Sequence, residues 1–171
     1  MEIAELRAQL ERYHQESYGW ARNCCRQHPD DAEGVLQAVY LKILERKAVF
    51  NGRASFRTWL FAVIRNTAAE ERRRRMWSKL RLVPYPEAAA PASPAERADD
   101  AVYRSQIQAT LGRALAALPR RQHEVLQLVF YHDLSLAEAA QVMSVSLGSA
   151  SRHYDRGKKR LRELMESANI R

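Results

Sequence analysis

The stretch VPYPEAAAPASPAERADD, residues 83–100, constrains this chain of 171 residues more than any other. It places four prolines in 18 residues. Each proline removes a backbone donor and disfavours helix before it, and the alanines between them offer little to bury. The segment reads as a flexible Pro/Ala-rich linker. It separates a unit of residues 1–82 from a unit of residues 101–171. Units of that size support a modest helical bundle each. Six glycines in the whole chain leave few β-turn signals, so the expected class is all-α, two small helical domains.

Apolar spacing is helical on both sides of the linker. Ile3, Leu6, Leu10, Tyr13, Ser17, Trp20 and Cys24 follow a three-four step and predict a first helix ending before Pro29. Asp30 and Glu33 resemble a capping box and would open a second helix, with Val35, Leu36, Val39, Tyr40, Ile43 and Leu44 inward. After the Asn51–Gly52 turn, Ser55 is a candidate N-cap for a third helix, apolar on two sides through Phe56, Trp59, Leu60, Phe61, Val63 and Ile64. Thr67 and Glu70 have the spacing of another capping box, and Asn66 precedes them, which predicts a break near Asn66 and a new helix from about Ala68 to Leu82.

The formal net charge of +8 is concentrated. Residues 56–82 carry eight bases against two acids, and residues 119–171 nine against six, while residues 1–55 balance. Localised positive charge points to a polyanionic partner. No apolar run approaches the roughly 20 residues of a bilayer span, and the charged amphipathic start is not a signal peptide, so a soluble intracellular protein without membrane insertion is expected. Cys24 and Cys25 are adjacent and offer no disulfide framework. With His28 they form CCRQH, which lacks a further metal ligand nearby; buried thiols on a helix fit better, and no metal or cofactor is expected. Paired carboxylates, a ligand set and a Gly-rich phosphate loop are all missing, which argues against an enzyme.

In the second unit, Tyr103, Ile107, Leu111, Ala114, Leu115 and Leu118 predict one helix, and Pro119 suits the first turn of the next, with Val125, Leu126 and Val129. Ser135 and Glu138 form a capping box before a short helix buried through Leu136, Ala139, Ala140 and Met143. A tight SVSLGS connection leads into a last, basic helix. Short helix, turn and longer basic helix is the helix-turn-helix pattern. Ala150, Tyr154, Gly157, Leu161 and Leu164 would pack that helix, leaving Ser149, Arg152, Arg156 and Lys159 for a DNA groove.

These segments carry a resemblance to a known family. LPRRQHEVLQLVFYHDLSLAEAAQVMSVSLGSASRHYDRGKKRLREL resembles the fourth conserved region of bacterial sigma factors. DDAEGVLQAVYLKIL and FNGRASFRTWLFAVIRNTAAEERRRR resemble the second region. The short form with only these two regions is similar to the extracytoplasmic-function (ECF) subfamily. The resemblance implies a cytoplasmic bacterial RNA polymerase subunit that directs initiation. Its first domain, residues 1–82, would bind the clamp helices of the largest core subunit and open the −10 promoter element. Its last, residues 101–171, would read the −35 element and sit on the flap of the second-largest subunit. Residues 83–100 would thread toward the RNA exit path.

By position, the resemblance implies core binding at Gln37, Tyr40 and Lys42, and −10 contacts at Arg65, Asn66, Arg72, Arg73, Arg74 and Arg75. Asn66 would capture a base flipped from the non-template strand. Ser149, Arg152, His153, Arg156 and Lys159 would contact the −35 element. Many relatives are held inactive by an anti-sigma factor, usually at the membrane. The chain departs from the family pattern at Gly34 and Ala38, where acids are common, implying a weaker or shifted core contact. Ser151 stands where a basic residue is common, implying a different −35 preference. Gly157 replaces an alanine, which would loosen the last helix if exposed. The competing reading is a stand-alone helix-turn-helix regulator that does not bind polymerase; it leaves the arginine-rich first domain without a purpose.

Overall fold

The computed structural model describes residues 2–81 and 100–169. The proline-rich segment, apart from Asp100, lies outside the described residues. Among the described residues every regular element is a helix: α1 Ile3–Arg12, α2 His14–Cys24, α3 Pro29–Leu44, α4 Phe56–Arg81, α5 Asp100–Ala116, α6 Arg120–Leu126, α7 Leu136–Met143 and α8 Leu147–Asn169. A π-helical turn, Gln127–Tyr131, extends α6. No helix among the described residues is long and apolar enough to cross a membrane.

The first unit packs α2, α3 and α4 around Trp20, Val35, Leu36, Val39, Leu60, Phe61 and Ile64. Trp20 keeps its polar edge satisfied by donating Nε1–H to the Phe61 carbonyl at 3.0 Å. The expected first helix is two, because Tyr13 leaves helical geometry at φ −97°, ψ 7° between α1 and α2. Asp30 and Glu33 form no capping box: Pro29 begins α3, His28 is its N-cap, and no side chain caps it. Asp31 instead pairs with Arg75 at 2.6 Å. Ser55 does cap α4, its Oγ accepting from the Thr58 N–H at 3.1 Å.

The expected break at Asn66 is also absent, since α4 runs unbroken from Phe56 to Arg81. Thr67 and Glu70 are engaged across the bundle rather than with their own backbone. Lys42 of α3 donates to Thr67 Oγ1 at 3.1 Å and to Glu70 Oε2 at 2.5 Å. The residues that follow, AAEERRRR, are strong helix formers, so a lone exposed asparagine costs too little to stop the helix.

The second unit packs α5 to α8 around Leu118, Val125, Leu126, Leu128, Val142, Met143 and Ala150. Ala114, near the end of α5, and Leu118, just beyond it, are inside, whereas Ile107 and Leu111 are exposed; the Tyr103 side chain lies outside what the structure describes. Pro119 is the N-cap of α6 rather than its first residue. The Ser135–Glu138 capping box forms as expected, with both side-chain-to-backbone bonds present.

The two bundles pack against each other, chiefly α4 on α7, into one continuous buried cluster. His132, in the loop before α7, inserts edge-on between Trp20 at 5.8 Å and Phe61 at 4.9 Å. Burial and the Arg57 guanidinium push its pKa down to about 4, so it is neutral there. Arg57 donates to the His132 carbonyl and pairs with Glu16 at 2.6 Å.

Candidate nucleic-acid interface

The two basic segments become two helical surfaces with different surroundings. On α8, Ser146 caps the start: its Oγ accepts from the Ser149 N–H at 3.2 Å. Ala150 and Gly157 are fully inside, while Tyr154, Leu161 and Leu164 pack partly against the core. Gly157 sits in a tight contact between α8 and α6. A Cβ there would stand 3.2 Å from both Gln122 Cβ and Leu126 Cδ1, so the glycine lets α8 lie close on α6. The loosening expected of an exposed glycine does not apply, because Gly157 is buried.

That seating turns Arg152, Arg156 and Lys159 to solvent, with Ser149 and His153 half-buried beside them. Arg152 reaches back to Ser149 Oγ at 3.4 Å. Among the described residues none of these three cations pairs with a carboxylate, whereas their neighbours Lys158 and Arg160 pair with Asp155 and Glu163. The helix therefore separates cations engaged within itself from cations left for a partner. Long flexible cations on one exposed face, one turn apart, suit phosphates and guanine edges in a major groove.

On α4 the arginines do not form one surface. Positions seven apart share a helix face. Asn66, Arg73 and Trp77 are exposed along one stripe. Arg74 is exposed and paired with Glu71 at 2.6 Å; Arg75 is exposed and paired with Asp31. Arg65 and Arg72 lie on the face turned to the second unit. Arg72 is half-buried, its pKa lowered by desolvation and by the nearby Arg120 and Arg26. Arg65 is buried, and its Nε and Nη2 donate to Glu124 of α6 at 3.3 and 3.2 Å. The other Glu124 oxygen accepts from Arg120 Nε at 3.0 Å.

The expected core-binding residues also divide. Gln37 is exposed on a stripe of α3 with Leu41 and Leu44, both more than half exposed. Tyr40, on its flank, is half-buried and its hydroxyl bonds His14 Nδ1 at 2.8 Å. Lys42 lies on the opposite side, holding α4 through Thr67 and Glu70. The CCRQH cluster ends α2. Cys24 is buried, its pKa pushed far up by burial and then by Glu124; Cys25 is pushed up by burial and then by Asp31. Among the described residues no three ligating side chains are grouped for a metal.

Sequence reasoning missed Glu124, Arg57 and His132. Glu124 had one available signal: an acid set directly before Val125 and Leu126, four residues after Arg120, on a helix face that must go inside. Nothing local marks His132, whose burial depends on residues more than seventy positions earlier.

Comparison with known proteins agrees with this geometry. The model described as Sigma-70 region 2 matches residues 10–78, and Sigma-70, region 4 matches residues 114–163. ECF RNA polymerase sigma factor SigF of Caulobacter vibrioides is 32% identical over 142 residues, 82% of this chain and 74% of that protein. ECF RNA polymerase sigma factor RpoE of Cereibacter sphaeroides is 32% identical over 138 residues, 78% of this chain and 72% of that protein. The fold matches sigma factor RpoE in complex with the anti-sigma factor NepR from Bartonella quintana, with TM-score 0.70 and 20% identity over 96% of this chain and 98% of that one. It also matches CnrH in complex with the cytosolic domain of CnrY, with TM-score 0.60 and 20% identity over 94% and 87%. Regions 2 and 4 in this order, together with relatives of this identity and coverage, mean that the chain belongs to the sigma-70 family, as a sigma factor of the ECF type.

Proposed function

We propose that this chain binds core RNA polymerase, brings it to promoters through −10 and −35 elements, and assists DNA opening. Residues 1–82 carry core binding and the −10 element, 83–100 are the linker, and 101–171 carry the −35 element. The supporting observation is the pairing of two surfaces on one chain: a region 4 helix whose exposed Arg152, Arg156 and Lys159 pair with no carboxylate among the described residues, and a region 2 helix with an exposed Asn66–Arg73–Trp77 stripe. A stand-alone regulator needs only the first.

In this reading Ser149, Arg152, His153, Arg156 and Lys159 contact the −35 element. Asn66 offers an amide to an extruded base, while Arg65 and Arg72 to Arg75 hold backbone. Gln37 and Tyr40 meet the core enzyme, with Leu41 and Leu44 adding apolar area. Lys42 supports that surface by fixing α3 to α4. The phosphoryl chemistry belongs to the polymerase, and this chain acts by binding. An anti-sigma factor is a further partner, holding the chain out of action in the cytoplasm or at the membrane. A pull-down tests the reading: tagged chain should retain purified core polymerase, and Gln37→Glu with Leu41→Glu should weaken retention. Failure of the unaltered chain to retain core would overturn it.

A further inference from the structure

We infer that the cavity at the end of α2 is a binding site for a small organic phosphate, about the size of a nucleoside monophosphate, whose phosphate is held by Arg26 and Arg72. Such a site stands whether or not Arg72 also holds −10 backbone.

The cavity has a volume of about 380 Å³ and lies between the end of α2, the start of α3 and the second half of α4. That is the lower end of the range of small-molecule sites, roughly 300–1,000 Å³. Val35, Ala68 and Met76 give it an apolar wall. Cys24 and Cys25 join that wall as uncharged thiols, because burial raises the pKa of both. His28, exposed, also lines it, so the CCRQH cluster finds its place here.

The charges around this cavity do not cancel. Asp31 is met by Arg75 and Glu71 by Arg74, each at 2.6 Å. Among the described residues neither Arg26 nor Arg72 pairs with a carboxylate. Arg72 is half-buried, and its pKa is lowered by desolvation first and then by Arg120 and Arg26. Arg120 already shares Glu124 with Arg65. Gathering guanidiniums partly out of water with too few acids costs energy, and an anion between them relieves it. Phosphate suits this task, since a planar guanidinium can meet two of its oxygens at once.

The backbone serves the same end. Arg26 and Gln27 are consecutive non-glycine residues in the left-handed region, at φ 54° and 68°. Such residues are uncommon, and where the surrounding structure holds them they gather at ligand sites. The Gln27 N–H donates to the Arg22 carbonyl at 2.8 Å, which fixes the turn that sets Arg26 against the cavity. A bare phosphate would use the arginines and leave the apolar wall in water. A phosphate carrying a flat organic body uses both.

Isothermal calorimetry of the full chain, with adenosine 5′-monophosphate as probe, tests the site. One-to-one binding is expected, tighter than that of inorganic phosphate by roughly tenfold or more through the apolar wall. Arg72→Gln should weaken it roughly tenfold, the scale of one charge-assisted contact. Arg162→Gln, the same change of charge at an exposed position of α8, should leave it as it was. Should Arg72→Gln fail to fold, Arg26→Asn takes its place, because asparagine accepts the left-handed backbone and removes the cation. No binding of the monophosphate would overturn the site. So would equal binding of inorganic phosphate, or equal weakening by Arg162→Gln. Binding of a mixed-sequence single-stranded DNA without binding of the monophosphate would overturn it too, and would leave these arginines to nucleic-acid backbone alone. Neither polymerase nor promoter enters the titration, so this site and the function proposed above fail separately.

Discussion

Helices α4 and α8 each carry a row of cations, yet the two rows are held differently. On α8 the inner face is apolar, down to a glycine pressed on α6, and among the described residues Arg152, Arg156 and Lys159 pair with no carboxylate. On α4 the arginines point all round the helix. Two face the second unit, two are tied to acids, and Arg73 shares the exposed stripe with Asn66. The difference teaches that a charge run is not a surface. Spacing of three and four builds a face, whereas four consecutive arginines are distributed to whatever surrounds the helix.

The sharpest way to break this contrast is on α8. Reversing Arg152 and Arg156 to glutamate should reduce −35-dependent promoter binding on the order of 100-fold, because each lost base or phosphate contact costs about 1–3 kcal/mol and repulsion is added. Footprints that persist would mean the wrong face was chosen. Next comes the seat of that face. Gly157→Val forces a branched side chain where even a Cβ stands 3.2 Å from α6. Overpacking of this kind costs about 2 kcal/mol, and thermal melting should fall by roughly 4–8 °C in a chain of this size.

On α4, Asn66→Ala should lower open-complex formation roughly tenfold while core binding survives, the scale of one lost base contact. Unchanged open complexes would remove Asn66 from the base pocket. The smallest effect concerns the seam between the two units. His132 is neutral in the fold, its pKa held down to about 4 by burial and Arg57. Unfolded, it takes a proton near 6.5. Between those values the unfolded chain binds more protons, so the contribution is complete above about pH 6.5 and declines as pH falls toward 4. Going from pH 7 to pH 5.5 should cost about 1 kcal/mol, measured by denaturant titration, and His132→Gln should flatten that slope.

Much of this was legible in the sequence where the signal is local. The helix-turn-helix needed only Ser135, Glu138 and the face of α8, and its cap and packing stand in the structure as read. Caps written in the same code failed where a tertiary partner or an earlier helix start displaced them. Thr67 and Glu70 answer to Lys42, and the Asp30–Glu33 box is lost because Pro29 starts the helix one residue earlier. No local pattern gives the seam, since Arg65 and Glu124 are 59 residues apart and the linker hides how the units meet. The placement of Arg65 thus followed from packing between units, which periodicity within one helix does not encode.

The central claim is that this chain makes core polymerase promoter-specific. Transcription in vitro with purified core enzyme on genomic DNA, with start sites mapped, tests it most directly. The account predicts new starts that appear only with the chain and share paired −10 and −35 elements. A set of starts identical to that of core enzyme alone would contradict it.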